Sequence, residues 1–217
     1  NANSNDKSTV LDNLYKIAST PRAQGLSNAG ILKDTIEVLA DPFSITQQFG
    51  DIPAQYQKAL QEQFIKENNL NPVNASDQIN AQNSVNVEHS GTCVASSIEF
   101  NLAKKMPAEF ARFAEGLSSP KMSVEKEIKL KNLADNTLDG IWLLNAFEIP
   151  YEMNNFDSAK LKFAPDKNAI IRAQIQTKHK DANERSALDV LMQSTMMQVD
   201  SQQSYDSVSD KRKGKFN

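Results

Sequence analysis

The stretch SGTCVASSIEFNLAKKM, residues 90–106, holds the only cysteine in the 217-residue chain. Apolar side chains recur at every fourth position after it: Val94, Ile98, Leu102 and Met106. This repeat is typical of one face of an α-helix. It predicts a helix that begins at Cys93 and ends before Pro107, since proline cannot continue a helix. We expect this apolar face to be buried and the helix to lie at the centre of the fold.

The single thiol stands where this predicted helix begins. Ser90 or Thr92 is placed to cap the helix, which puts Cys93 in its first turn. The unpaired amides and the dipole of a first turn favour an anion, and the thiolate is the nucleophilic form of cysteine. Gly91 has no side chain to obstruct a substrate, and a first-turn amide can hold a developing oxyanion. These features predict a nucleophile at a helix N-terminus.

The same residues resemble a known family. Papain-like cysteine peptidases carry a Gly-x-Cys-x-Ala stretch whose cysteine opens the central helix of the helical half of the fold. Gly91-Thr92-Cys93-Val94-Ala95 is similar to that stretch, and its valine is similar to bacterial members. The resemblance is limited to these residues. It implies the helical half of a papain-like fold with few strands, in which Cys93 attacks a peptide carbonyl and a histidine accepts the thiol proton.

Residues outside this stretch depart from the family pattern. The family has a glutamine six residues before the cysteine, where this chain has Val87, and Gln78 and Gln82 lie further upstream. The family's catalytic histidine lies far downstream in a β-rich half, whereas the two histidines here are His89 and His179. His89 precedes the cysteine, and His179 is flanked by two lysines. We expect His179 to be exposed and neither histidine to act as the base.

The end of the chain bears on whether such a site is complete. No strand-rich half is evident before the basic end DKRKGKFN, residues 210–217. An end of this composition is typical of an exposed linker. We therefore expect the base to lie in a missing C-terminal half of the same precursor, and the isolated chain to be an incomplete or inactive peptidase.

Composition and motifs exclude several classes of function. A net charge of −3 leaves no basic field for nucleic acid, and no apolar run reaches the roughly 18 residues of a membrane span. A single cysteine excludes an internal disulfide framework. Residues 135–140, DNTLDG, are similar to the start of a calcium loop, but Ala146 stands where its glutamate is required, which predicts a turn. We predict no metal and no cofactor, and either a polypeptide substrate or a protein partner.

The pattern along the chain predicts a mostly α, or α+β, fold. Residues 68–90 are rich in Asn, Ser and Gln, which is typical of an extended connection. They divide the chain into an N-terminal helical extension, residues 1–75, and a helical domain around the Cys93 helix, residues 76–217. Ser27 is placed to cap a helix in the extension.

The second half of the chain contains the clearest predicted strand. It covers residues 168–177, where Ile171, Ala173 and Ile175 alternate with polar side chains. Residues 123–150 before it predict two helices. Residues 181–199 after it predict a helix capped by a residue pair with capping-box spacing: Asp181 and Glu184.

A second hypothesis requires no chemistry. Free cysteine is among the most often buried residue types and packs as a small apolar side chain. On this reading the chain is a non-enzymatic helical binding or structural module with Cys93 buried.

The chain begins at Asn1 and not at Met, which is consistent with a removed leader and favours a secreted or cell-surface location over a cytoplasmic one.

Overall fold

The computed structural model describes residues 3–47, 54–67, 69–85, 91–129, 147, 158–179, 184–200, 205–207 and 210–212. Within them the chain is mostly α-helical with two small antiparallel sheets, which confirms the predicted fold class. The helices are α1 (Val10–Ser19), α2 (Asn28–Ala40), α3 (Ala54–Glu67), α4 (Ala75–Val85), α5 (Cys93–Lys105), α6 (Pro107–Ser118), α7 (Ala169–His179) and α8 (Ala187–Asp200), with a 3-10 turn at Pro42–Ser44. The strands are β1 (Val124–Lys129), β2 (Ser158–Phe163), β3 (Tyr205–Asp206) and β4 (Lys211–Arg212).

Helix α8 lies at the centre of the fold. Eleven of its fourteen residues are buried, a pattern expected only of a helix that is covered on all sides. Its Leu188 and Leu191 belong to one hydrophobic core with Phe110 and Leu117 of α6. That core also takes in side chains of α1, α2, α5, α7 and β1. None of the helices in the described part of the chain combines the length and apolar character that crossing a bilayer requires.

The predicted buried face of α5 is wrong. The helix begins at Cys93 as expected, but Val94 and Ile98 are 61% and 45% exposed. Its buried side chains are those one turn apart on another face: Ala95, Glu99 and Ala103. The two alanines let the backbone of α5 lie close to α6 and α8. Close packing of small residues and burial of one polar residue therefore outweigh the burial of the apolar repeat.

The predicted strand at residues 168–177 is also wrong, because this segment forms helix α7. The strand prediction placed Arg172 and Gln176 on the solvent side, yet they are 0% and 2% exposed. They are buried together with Ala173 and Ile175, which is the spacing of one helix face. Gln176 Nε2 donates a hydrogen bond to the backbone oxygen of Arg185 at 2.9 Å. Polar side chains that are buried with hydrogen-bonding partners therefore give this helix the alternating polar and apolar pattern of a strand.

The sheet of β1 and β2 was not predicted, since residues 123–150 were assigned to helices. Val124–Lys129 pairs antiparallel with Ser158–Phe163, with Val124 opposite Phe163. Lysine and glutamate in β1 favour a helix locally, and pairing with β2 overrides that propensity. A Cβ atom on Gly116 would lie 2.5 Å from Val124 Cγ2, so glycine is needed where β1 meets α6. Residues 130–146, which include the possible calcium turn, lie outside the described residues.

The predicted connection at residues 68–90 contains a helix. Helix α4, Ala75–Val85, packs against α3, so the segment is not wholly extended as expected. The division at residue 75 falls at the first residue of α4. Side chains from both sides of it, Ile17 of α1 and Leu191 of α8 among them, share one hydrophobic core.

Caps were predicted for three helices, α2, α5 and α8, and the cap of α2 is confirmed. Ser27 Oγ accepts a hydrogen bond from Gly30 N at 3.0 Å at the start of α2. At α8 the cap is not Asp181 with Glu184. Ser186 N donates to Asp189 Oδ2 and Asp189 N donates to Ser186 Oγ, both at 3.0 Å, which is a reciprocal capping box.

The central position of α8 can be tested with two identical substitutions. Leu191→Ala should lower the free energy of unfolding by about 2–5 kcal/mol, because it leaves a cavity in the core. Leu11→Ala removes the same atoms from a side chain of α1 that is 76% exposed, and should cost less than about 0.5 kcal/mol. Urea unfolding followed by circular dichroism measures both. Similar losses for the two variants would contradict a core built around α8.

Candidate functional site

Cys93 is exposed and is the first residue of helix α5. The predicted position of the thiol is therefore confirmed, and the alternative in which Cys93 is buried is wrong. The reason lies in the packing of α5, which turns Ala95 and Glu99 inward and leaves Cys93 on the outer side. A thiol in this position is accessible to a dissolved reagent.

The loop before Cys93 is attached to the hairpin of β3 and β4. The backbone N–H of Gly91 donates to Asp210 Oδ2, and Tyr205 Oη donates to Asp210 Oδ1 at 2.7 Å. Tyr205 is 3% exposed and packs in a small cluster with Ala95. Burial raises the pKa of Tyr205, and the adjacent Asp210 carboxylate raises it further. The phenol therefore stays protonated and keeps donating to Asp210.

Thr92 precedes α5 but does not cap it, contrary to prediction. Its side chain makes no capping hydrogen bond, and its backbone has φ −89° and ψ 24° instead of the extended conformation usual at a cap. The hydroxyl points into the protein, where Thr92 Oγ1 donates to Gln193 Oε1 at 2.7 Å. Ser90, the other predicted cap, lies outside the described residues. The first turn of α5 therefore begins without a cap from Thr92.

Gln193 of α8 joins several segments beneath Cys93. Its side chain is fully buried. Its Oε1 accepts from Thr92 and, at 3.5 Å, from Arg185 Nη1. Its Nε2 donates to the backbone oxygen of Thr46 at 2.9 Å and to Glu99 Oε2 at 3.1 Å. One amide thus connects α8 with the start of α5, the middle of α5 and the segment after the 3-10 turn.

Two buried carboxyl groups lie beside this amide. Glu99 of α5 and Asp189 of α8 are 0% and 2% exposed and lie close enough to interact electrostatically. Burial raises the pKa of Glu99 well above its ordinary value, and the charge of Asp189 raises it further. Arg185 is also fully buried. Burial lowers the pKa of Arg185, and nearby groups that include Asp189 oppose this shift. Glu99 therefore keeps its proton to a higher pH than an ordinary glutamate.

A cleft of about 350 Å³ runs along the thiol side of α5. It is lined by Pro42, Phe43, Ile45, Ser96, Ser97, Phe100 and Asn101. The Ser96 and Ser97 hydroxyls donate to the backbone oxygen of Cys93 at 3.0 and 2.8 Å, so this wall is one helical turn from the thiol. The rings of Phe43 and Phe100 are 5.1 Å apart, and Phe43 is 80% exposed. The wall formed by α5 therefore carries polar side chains and Phe100, and the wall formed by Pro42, Phe43 and Ile45 is apolar.

The structure describes no contact between Cys93 and any other predicted site residue. His89 and Val87 lie outside the described residues. His179 is the last residue of α7, and only its place in the helix is described, so its predicted exposure stays a prediction. Gln78 lies on α4 and its Nε2 donates to the backbone oxygen of Pro72 at 2.6 Å. In the described part of the chain, His, Cys, Asp and Glu side chains form no group of three that could hold a metal ion.

Sequence reasoning missed the buried polar residues beneath the thiol. Asp189 and Gln193 lie four residues apart in an otherwise apolar segment of α8, and Glu99 lies between Ala95 and Ala103. Four residues is the spacing of one helix face, so the sequence shows a polar stripe in α8 and, in α5, one glutamate on a face of small residues. Nothing in the pattern shows that these two faces lie against each other.

The buried carboxyl pair predicts a pH effect on stability. Because the pKa of Glu99 is raised on folding, its contribution is fully present below the ordinary value of 4.5 and is lost as pH rises toward the raised value. Glu99→Gln has no proton to lose. We expect the stability of the wild type relative to this variant to fall with pH by up to about 1.4 kcal/mol per unit.

Urea unfolding of both proteins between pH 5 and pH 9 measures this difference, and equal m values would show that both unfold in the same way. A difference that stays constant over this range would contradict a Glu99 that keeps its proton in the folded chain.

Comparisons of the chain with protein-family models, with curated proteins and with solved structures found no match.

Proposed function

We propose that this chain is the helical, nucleophile-bearing part of a papain-like cysteine peptidase. The observation that carries the proposal is the exposed Cys93 at the first position of a thirteen-residue helix that Thr92 leaves uncapped. The dipole of such a helix stabilises an anion at its N-terminus. The thiolate is the reactive form of cysteine, so this position favours nucleophilic attack.

The arrangement suits acyl transfer from a peptide. The Cys93 thiolate attacks the carbonyl carbon, a sulfur–carbon bond forms, and the carbonyl oxygen becomes an oxyanion. Amide hydrogens of the first turn can stabilise that oxyanion. Collapse of the intermediate breaks the peptide bond, and the amine leaves with a proton from the general acid. Water then hydrolyses the thioester. We assign the acid–base role to a histidine other than His89 and His179.

The cleft beside α5 supports a polypeptide as the substrate. An extended peptide carries apolar side chains and backbone amides at regular intervals. The Phe43 and Phe100 rings offer an apolar contact, and Ser97 and Asn101 on the α5 wall are exposed polar groups. A peptide in this cleft would pass within one helical turn of Cys93.

A second candidate is a non-enzymatic helical binding module. The exposed apolar side chains on and near α5 favour it: Phe43, Val94 and Ile98. Exposed apolar groups of this kind are found at protein–protein contacts. The two candidates differ in what they require of Cys93, since a binding module needs no reactive thiol.

Alkylation of the thiol separates these candidates. Under the peptidase proposal we expect iodoacetamide at pH 7 to modify Cys93 in the folded chain several-fold to about tenfold faster than in the urea-unfolded chain, because an activated nucleophile reacts faster than an ordinary thiol. Intact mass measured over time gives both rates. Cys93→Ser is the control that shows no modification. A folded-state rate equal to or below the unfolded rate would remove the support for a nucleophile.

The isolated chain should not turn over a protein substrate. The proposal assigns the base to neither His89 nor His179, so within this chain deprotonation of the thiol and protonation of the leaving amine lack a partner. We expect no cleavage of unfolded casein at neutral pH with a reductant present. Cleavage by the wild type that disappears in Cys93→Ala would show that His89 or His179 acts as the base.

A further inference from the structure

The hairpin of β3 and β4 is too short to be stable without support. Each of its strands has two residues, and an isolated two-stranded hairpin is marginal in water at best. Tyr205 and Asp206 of β3 are nevertheless 3% and 2% exposed. Asp206 Oδ1 accepts a hydrogen bond at 3.2 Å from Nδ2 of Asn168, which lies just before α7. The hairpin therefore keeps its conformation through contacts with the rest of the molecule.

Strand β3 is fixed on both α5 and α8. The Tyr205 ring lies in a small apolar cluster with Ala95 of α5 and Met197 of α8. The Tyr205 backbone N–H donates to Gln198 Oε1 of α8 at 3.1 Å. The cluster is small, so these contacts stabilise the hairpin by much less than the main core stabilises α8. A segment attached in this way opens at a lower free energy than the whole fold.

Asp210 attaches the hairpin to the loop before α5. Its backbone φ of 51° lies in the left-handed region, which aspartate tolerates better than most residues. One carboxylate oxygen accepts from the Gly91 N–H and the other accepts from Tyr205 Oη. A Cβ atom on Gly91 would lie 3.3 Å from Asp210 Oδ2, so the loop and the carboxylate approach closely. A single carboxylate thus connects the tyrosine of β3 with the residue that precedes Thr92.

A buried cation adds to this attachment. Arg185 is fully buried. Burial lowers the pKa of Arg185, and three nearby groups oppose that shift: Tyr205, Asp210 and Asp189. A buried charge that loses a partner is strongly unfavourable. Opening of the hairpin would take Asp210 away from Arg185, so the guanidinium favours the docked position of Asp210.

We propose that the hairpin of β3 and β4 is a clasp that opens as one unit and that, when closed, holds the loop before α5 in place. The inference rests on the proposed function where it concerns chemistry, since this loop leads into the nucleophile Cys93. In the closed state Asp210 fixes Gly91, two residues before the thiol. In the open state the Gly91 and Tyr205 N–H groups lose their acceptors together. The clasp is therefore a conformational step through which the site can be regulated.

Amide hydrogen exchange of the wild type tests the clasp without reference to activity. The Gly91 and Tyr205 N–H groups are far apart in the sequence and donate to different acceptors. Because one opening event frees both, we expect their protection factors to agree within about threefold. Both should be at least about tenfold lower than that of the buried Leu191 of α8. A larger disagreement between the two, or protection as high as that of Leu191, would overturn the proposal.

Tyr205→Phe provides a matched variant. It keeps the ring in its cluster and removes only the hydroxyl that donates to Asp210. Since a hydrogen bond to a charged acceptor is among the stronger ones, we expect the amides at positions 91 and 205 both to exchange about tenfold faster. Tyr15→Phe removes the same atom from a side chain that is 73% exposed and should change both rates less than about twofold.

Faster exchange at position 205 with Gly91 unchanged would show that the hairpin and the loop move independently and would overturn the proposal. Unchanged exchange at both positions in Tyr205→Phe would overturn it as well. Circular dichroism shows whether the variant folds. If it does not fold, the protection factors of the wild type decide the question alone.

Failure of the proposed function gives a different result. If iodoacetamide modifies Cys93 no faster in the folded wild type than in the urea-unfolded chain, the peptidase proposal loses its support. The exchange rates of Gly91 and Tyr205 still decide whether the hairpin is a clasp.

Discussion

The hydrogen bonds of the buried Gln193 amide determine how α5 sits on the rest of the molecule. Every polar atom of this amide has a partner, and the partners come from three separate segments. An unsatisfied buried amide costs roughly 1–3 kcal/mol for each lost partner. Rotating α5 so that Val94 and Ile98 faced inward would remove Glu99 from Gln193. The free energy gained by burying Val94 and Ile98 would then be offset by the cost of leaving buried polar groups without hydrogen-bond partners.

The same constraint explains why the thiol is accessible. Because Glu99 is fixed against Gln193, the side of α5 that carries Cys93 faces outward. Glu99 tolerates this burial because its raised pKa lets it remain protonated beside Asp189. A neutral acid in the interior avoids most of the desolvation cost of a charged one. The burial of Glu99 and the exposure of Cys93 therefore both result from the way α5 packs.

Sequence patterns predict the local features of this chain better than its tertiary contacts. The start of α5 at Cys93 and the Ser27 cap depend on nearby residues, and both are as expected. The strand at residues 168–177 failed because Arg172 and Gln176 are buried, and only tertiary partners make such burial affordable. The Thr92 cap failed for the same reason, since its competing acceptor lies 101 residues away along the chain.

We propose that the packing of α5 makes Cys93 an acyl acceptor in the folded chain. The most direct measurement is the intact mass of the protein after incubation with a phenylalanyl p-nitrophenyl ester at pH 7, in buffer and in urea, with Cys93→Ser alongside. We expect one acyl group on Cys93 that forms faster in the folded chain than in urea. An adduct that is absent, or that forms at the same rate in both conditions, would contradict it.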